Sequence, residues 1–170
     1  EEYFTNMNNS NRKGKQGEAK LEPILATILP DAEVTNSSGT AESGDFIIKR
    51  QNKSPILIDT KDYNTVIPKK EVDKIIRDIE KHACNGILMS QNSGIALKYD
   101  WEINIHNNCV LVFLHNVEYN EDKIWSAIQI IDALYPIVQQ QANLEHESIT
   151  TDQLVELNRE FQNIICLLYT

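Results

Sequence analysis

The sequence predicts an α/β domain with a helical tail, on three observations. Three short extended stretches follow an amphipathic helix, a second helix leads from them into a strand that is apolar throughout, and the last third is helical and acidic. The element order is helix, three-strand meander, helix, strand, then a C-terminal helical extension. We divide the chain into a core over residues 14–118 and an extension over 119–170. With 170 residues the chain is long enough to bury a core without staples.

The first periodic segment covers residues 16–29, with Leu21, Ile24, Leu25 and Ile28 at helical spacing and Pro30 closing it. The Asn-rich residues 1–13 are expected to order late if at all. Extended stretches at 32–35, 45–49 and 55–60 are separated by Ser/Gly residues and by a polar turn from Arg50 to Ser54. Pro68 opens a second helix that runs to about residue 84, with Val72, Ile75, Ile76 and Ile79 inward and Gly86 expected to end it. The apolar strand 87–89 reads as buried on both faces, and a hairpin over 101–106 and 110–114 turns at Asn107-Asn108. A long helix over 119–143 carries Ile124, Ile128, Ile131, Leu134 and Val138, with Pro136 expected to kink or break it. Thr150 and Gln153 form a capping-box pattern ahead of a last helix, whose Leu154, Leu157, Phe161, Ile164 and Leu168 are spaced 3, 4, 3, 4.

Cys84, Cys109 and Cys166 are widely spaced and include no C-x-x-C pair, which argues against a disulfide framework and a thiolate zinc site. An intracellular setting fits, with cytoplasm and nucleus not distinguished. No run reaches transmembrane length, so no membrane partner is expected. The chain opens on Glu1 rather than Met, as an excerpt of a longer protein would. His82, His106, His115 and His146 show no metal-ligand spacing, and no glycine loop suited to cradling phosphates is present. The net charge of -9 is unevenly spread: residues 1–85 hold 13 Lys/Arg against 14 Asp/Glu, and residues 86–170 hold 3 against 11. Any basic surface lies in the first half.

Asp59-Thr60-Lys61 ends an apolar strand, where residues two apart face the same way, so a carboxylate and an ammonium are presented together. Gly44-Asp45 begins the preceding strand, and a hairpin turning about Asn52 sets Asp45 opposite Asp59. Two such carboxylates repel, and a hard divalent cation with oxygen ligands relieves the repulsion. The tripeptide pattern alone is common, since Glu18-Ala19-Lys20 and Glu121-Asp122-Lys123 share it inside helical patterns. Only Asp59 ends a buried strand that has an aspartate facing it. Taken by themselves these residues leave a plain alternative open, in which Asp45 caps a turn, Asp59 ends a strand and Lys61 is a surface lysine.

Over residues 14 to about 114 the chain resembles the PD-(D/E)XK, or restriction-endonuclease-like, nuclease superfamily, nearest its Holliday-junction-resolvase-like members. The likeness lies in Gly17-Glu18 on the opening helix, in Ser43-Gly44-Asp45-Phe46-Ile47-Ile48 and Ile56-Leu57-Ile58-Asp59-Thr60-Lys61, and in the element order. It implies a restriction-endonuclease-like core and a DNA endonuclease. It also implies that Asp45, Asp59 and the Thr60 carbonyl ligate Mg²⁺, with Mn²⁺ substituting. Glu18 would complete the metal shell and Lys61 would orient or activate the attacking water. Asp59 stands where Glu is commoner, and Gly44 where the family has proline.

Lys70, Lys74, Arg77 and Lys81 fall on one face of the second helix, a stripe able to follow a phosphate backbone. A solvated face laced with pairs such as Asp73 and Arg77 explains the same pattern. Arg12, Lys13 and Lys15 are a second candidate contact with DNA; Gln91, after the buried strand, could reach the scissile region, though a loop glutamine more often has no such role. Two rivals stand beside the nuclease: a catalytically silent DNA-binding domain of the same fold, and an assembly module built on the acidic C-terminal third. The apolar seam of the last helix needs a cover, either the preceding helix or its own copy in a homodimer.

Overall fold

The computed structural model describes residues 2–39, 44–143 and 150–168, with side chains apart from those of 2–11, 13, 141, 143 and 165–168. Ser43, His146 and the 145–148 loop lie outside the described residues, as do the side chains of Lys13, Cys166 and Leu168. In chain order the elements are α1 (Glu2–Ile28), β1 (Glu33–Asn36), β2 (Phe46–Lys49), β3 (Ile56–Lys61), α2 (Lys69–His82), β4 (Asn85–Ser90), β5 (Glu102–His106), β6 (Cys109–Leu114), α3 (Glu121–Asn143) and α4 (Thr151–Leu168).

One six-stranded sheet runs β1-β2-β3-β4-β6-β5. The meander β1–β2–β3 is antiparallel, β3, β4 and β6 are parallel, and β5 returns antiparallel on β6. Local chemistry sets the β2–β3 and β5–β6 hairpins. Asn52 and the pair Asn107 and Asn108 hold the positive φ that the tight turns require, at 59°, 46° and 61°. Asparagine tolerates that region better than other side-chain-bearing residues.

Period-two alternation sorts the sheet into two faces. Phe46, Ile48, Ile56, Ile58, Ile87, Met89 and Val112 meet α1 through Leu21 and Leu25, and α3 through Ile124, Ile128 and Ile131. Leu57, Leu88, Leu111 and Phe113 meet α2 through Val72, Ile75 and Ile79. With helices on both sides, all six residues of β4 are buried, which is why its centre, residues 87–89, is continuously apolar.

Several expectations change. The first helix begins at Glu2 rather than near residue 16: residues 2–13 hold no proline or glycine and little β-branching, so a helix nucleated further on propagates back through them. Gly86 does not end α2. Ala83 ends it in the left-handed conformation (φ 46°), and Gly86 lies in β4, where an added Cβ would sit 2.7 Å from Ile79. The glycine lets helix and strand approach. The helix α3 passes unbroken through Pro136, carried by the packing of Ile131, Leu134 and Val138 on either side. That helix forms one wall of the main core, so the boundary drawn at residue 118 separates parts of one packed unit.

The last helix is capped as expected: Thr150 N–H donates to Gln153 Oε1 (2.9 Å) and Gln153 N–H to Thr150 Oγ1 (3.2 Å). Three of the five seam residues are covered within the chain, at the sheet edge rather than by an antiparallel pairing with α3. Leu154, Leu157 and Phe161 pack on the main core. Asn158 meets the free edge of β5 as a neighbouring strand would, accepting from Ile103 N–H (2.7 Å) and donating to Ile103 O (2.8 Å). This narrows the open seam that motivated a homodimer through the C-terminal helices to its far end, where Ile164 stays 51% exposed.

Candidate functional site

The β2–β3 ladder pairs Phe46 with Ile58, which sets Asp45 against Asp59 one step further on. Asp45 N–H donates to Ile58 O (2.9 Å), and the Asp45 carboxylate accepts from Thr60 N–H at 2.7 Å. In a strand the N–H and C=O of one residue point the same way, so the Thr60 carbonyl also faces Asp45. Alternation along β3 turns Asp59 to the α2 face together with Leu57, and there it is fully buried.

Two ammonium groups meet Asp59. Lys61 Nζ lies 2.5 Å from Oδ1 and Lys74 Nζ lies 2.8 Å from Oδ2. Burial pushes the Asp59 carboxyl up, but Lys61 and Lys74 outweigh it and hold it below its ordinary value. The consequence falls on Asp45, pushed up to about 7 by burial and then by the charge of Asp59. Lys61 and the Thr60 N–H oppose that rise, and Glu18 adds to it. Burial works against the charge on Lys61, yet Asp59 and Asp45 hold its pKa above the ordinary lysine value. Glu71 stands 3.7 Å from Lys61, and the buried Asp78 stands 3.7 Å from Lys74.

The flanking residues fix this geometry. Gly44 has φ +60°, and a Cβ there would lie 2.5 Å from Leu57 Cδ2. Proline, locked near φ −65°, has no place in such a turn, which gives the physical reason for the departure at this position. Gly17 is buried on α1, where a Cβ would lie 3.1 Å from Tyr119 Oη; the close approach sets the next residue, Glu18, against the end of the meander. There Glu18 Oε2 accepts from Asn36 Nδ2 at 3.2 Å.

Gln91 is buried and its side chain is engaged at both its nitrogen and its oxygen, donating to Thr60 Oγ1 (2.8 Å) and accepting from Tyr119 N–H (2.8 Å). It thus braces β3 rather than reaching outward.

The basic stripe on α2 does not survive as one surface. Lys70, Arg77 and Lys81 are exposed, whereas Lys74 turns inward to Asp59. Arg12 and Lys15 are exposed on α1. Lys74 and Glu71 are the site residues that motif spacing missed; their signal is that α2 lies over the face to which Asp59 points.

Among the described residues, no three His, Cys, Asp or Glu side chains are grouped so as to hold a metal ion. The oxygen donors nevertheless fit a hard cation. Two facing carboxylates, one of them raised by burial and then by the charge of the other, adjoin a backbone carbonyl, and a cation would offset both effects. Such a cation has to displace Lys74 from Asp59 Oδ2.

Neither protein-family models nor curated proteins match this sequence. A solved structure with some likeness is the refined half-complex from a tetradecameric assembly of Thermococcus gammatolerans McrB AAA+ hexamers with bound McrC. The likeness has a TM-score of 0.44 and 14% identity, over 69% of this chain and 33% of that one. The chain thus spans about a third of the length of its neighbour. No helix among the described residues is long and apolar enough to cross a membrane.

Proposed function

We propose that this chain is a divalent-metal-dependent DNA endonuclease of the restriction-endonuclease-like kind, working at the end of the β2–β3 hairpin. The observation that supports the reading best is the facing pair Asp45 and Asp59, one raised to about 7 and the other paired with Lys61 at 2.5 Å. The order α1, β1–β2–β3, α2, β4 agrees with the core that the motif residues resemble. Mg²⁺, or Mn²⁺ in its place, would supply polarisation of the scissile phosphate and acidification of a water. Asp45, Asp59, the Thr60 carbonyl and Glu18 would hold it. Asp45 would have to be ionised to serve as a ligand. Lys61 Nζ, held beside Asp59, would orient or activate the attacking water and stand as a positive charge next to the charge developing on the phosphate. Thr60 Oγ1 is held by Gln91, so the residue would serve through its carbonyl.

The test is incubation with branched, single-stranded and duplex DNA in Mg²⁺ or Mn²⁺, comparing the parent with Asp59→Ala. Cleavage by the parent alone supports the reading, and no cleavage in either metal sinks it.

A second reading has one observation behind it. Lys61 and Lys74 already compensate Asp59 without any metal. A silent DNA-binding domain of the same fold would keep that arrangement permanently, and calorimetry showing no Mg²⁺ or Mn²⁺ binding would favour it.

A further inference from the structure

Two loops leave the C-terminal ends of β3 and β4 beside Lys61 and Gln91, and both hold apolar side chains in water. Val66 is 59% exposed, Leu97 83% and Tyr99 71%. The loops are stapled together: Ile67 N–H donates to Gly94 O (2.9 Å) and Ala96 N–H to Ile67 O (2.9 Å), so Val66 and Leu97 flank one parallel bridge. Residues between the prongs turn inward. Ile95 is buried and its N–H donates to His115 Nε2 (3.2 Å), Lys98 Nζ donates to Glu102 Oε1 (2.8 Å), and Asp100 Oδ1 accepts from His115 N–H (2.8 Å). Leu97 itself has φ 60°, a left-handed conformation that bulky residues avoid. Folding alone does not explain a fastened loop that strains its backbone to hold a leucine outside, since that side chain buries little.

Charge indicates the kind of partner. Lys69 and Lys70 are exposed in the first turn of α2, within four residues of Val66. The N-cap, Pro68, offers that turn no side-chain hydrogen bond, and the turn also holds Glu71, which faces Lys61 at 3.7 Å. Val66 stands beside Lys69 and Lys70, and Leu97 and Tyr99 stand on the bridged loop, where Tyr99 N–H donates to Glu102 Oε2 (2.9 Å). Apolar side chains next to cations fit a polyanion that carries flat apolar faces. A closed duplex hides its base faces within the stack, whereas unpaired bases offer them for stacking.

We propose that Val66, Leu97 and Tyr99 grip unpaired bases of a DNA strand while Lys69 and Lys70 hold its phosphates. The proposal rests on the nuclease reading and narrows the substrate of that site to DNA with a single-stranded or forked segment. Fluorescence anisotropy in EDTA tests it apart from cleavage, using a labelled single strand, a forked duplex and a blunt duplex against the parent and Leu97→Gly with Tyr99→Ala. The single strand and the fork are expected to bind the double variant about tenfold more weakly, with the blunt duplex within about twofold. Leu97→Gly alone is expected not to lower the melting temperature, because glycine accepts a positive φ. Ile137→Ser, a change at an exposed apolar residue on α3, is expected to leave all three affinities unchanged.

Unchanged single-strand affinity in the double variant, an equal loss on all three DNAs, or a parent that binds none of them would overturn the proposal. So would a parent that sedimentation shows to be a dimer and that the double variant splits, since the prongs would then be a self-interface. If the parent binds as expected but Asp59→Ala does not change cleavage, the nuclease reading alone falls. If cleavage depends on Asp59 but these affinities do not move, only the base grip falls.

Discussion

Lys74 Nζ lies 2.8 Å from Asp59 Oδ2, so a lysine on α2 is committed to a buried carboxylate on β3. Its charge is therefore a local counterion that competes with any cation for the same oxygen. Lys74→Met is expected to cost about 1–2 kcal/mol of stability in EDTA, to recover most of that in Mg²⁺, and to bind Mg²⁺ about tenfold more tightly by calorimetry. Unchanged metal affinity in this variant would return Lys74 to the phosphate-binding stripe.

The raised pKa of Asp45 sets a pH dependence. Unfolded, the carboxyl titrates near 3.8; folded and metal-free, it holds its proton to about 7. The folded state therefore binds the extra proton between those values, and stability falls as pH rises from about 4 to about 7, then levels off. Asp45→Asn removes that loss. It is expected to stabilise the metal-free protein by on the order of 1–3 kcal/mol at pH 8 and by almost nothing at pH 4, as urea melts at the two pH values would read. A gain that is the same at both would mean that ionisation of Asp45 is not its cause.

Gly44→Ala is expected to destabilise the fold by about 2–4 kcal/mol, since a Cβ meets Leu57 Cδ2 at 2.5 Å on a backbone with φ +60°. Urea unfolding measures the loss, and a variant as stable as the parent would mean that the turn before Asp45 can open without cost.

These three expectations differ in how far the sequence alone reveals them. The meeting of Asp45 and Asp59 is legible, because period-two alternation and a turn at Asn52 are local and fix the register. The I′-type asparagine turn and the Thr150–Gln153 box are legible for the same reason. The partner of Asp59 on α2 is not. Helical periodicity puts Lys70, Lys74, Arg77 and Lys81 on one side, but which of them bends inward depends on where α2 crosses the sheet. The covering of β5 by Asn158 is likewise a contact across 55 positions that no local pattern announces. Gln91 reads as an ordinary loop residue until β4 and β3 are known to be parallel neighbours that bring it to Thr60.

Asn158 supplies a fourth test. Replacing it with Ala strips the Ile103 peptide of both its partners. A loss of about 1–3 kcal/mol and faster amide exchange at Ile103 are expected, because a part-buried peptide is left unpaired. Exchange at the parent rate would place the hold of α4 in Leu154, Leu157 and Phe161 alone.

Cleavage by Asp59→Ala tests the site most directly. Removing the buried carboxylate takes away one metal ligand and the partner of both Lys61 and Lys74. With purified protein and forked DNA in Mg²⁺, the parent is expected to cut. The variant is expected to lose at least about a hundredfold in rate while unfolding cooperatively and still binding the fork. A variant that cuts as fast as the parent would contradict a metal centre at Asp45 and Asp59.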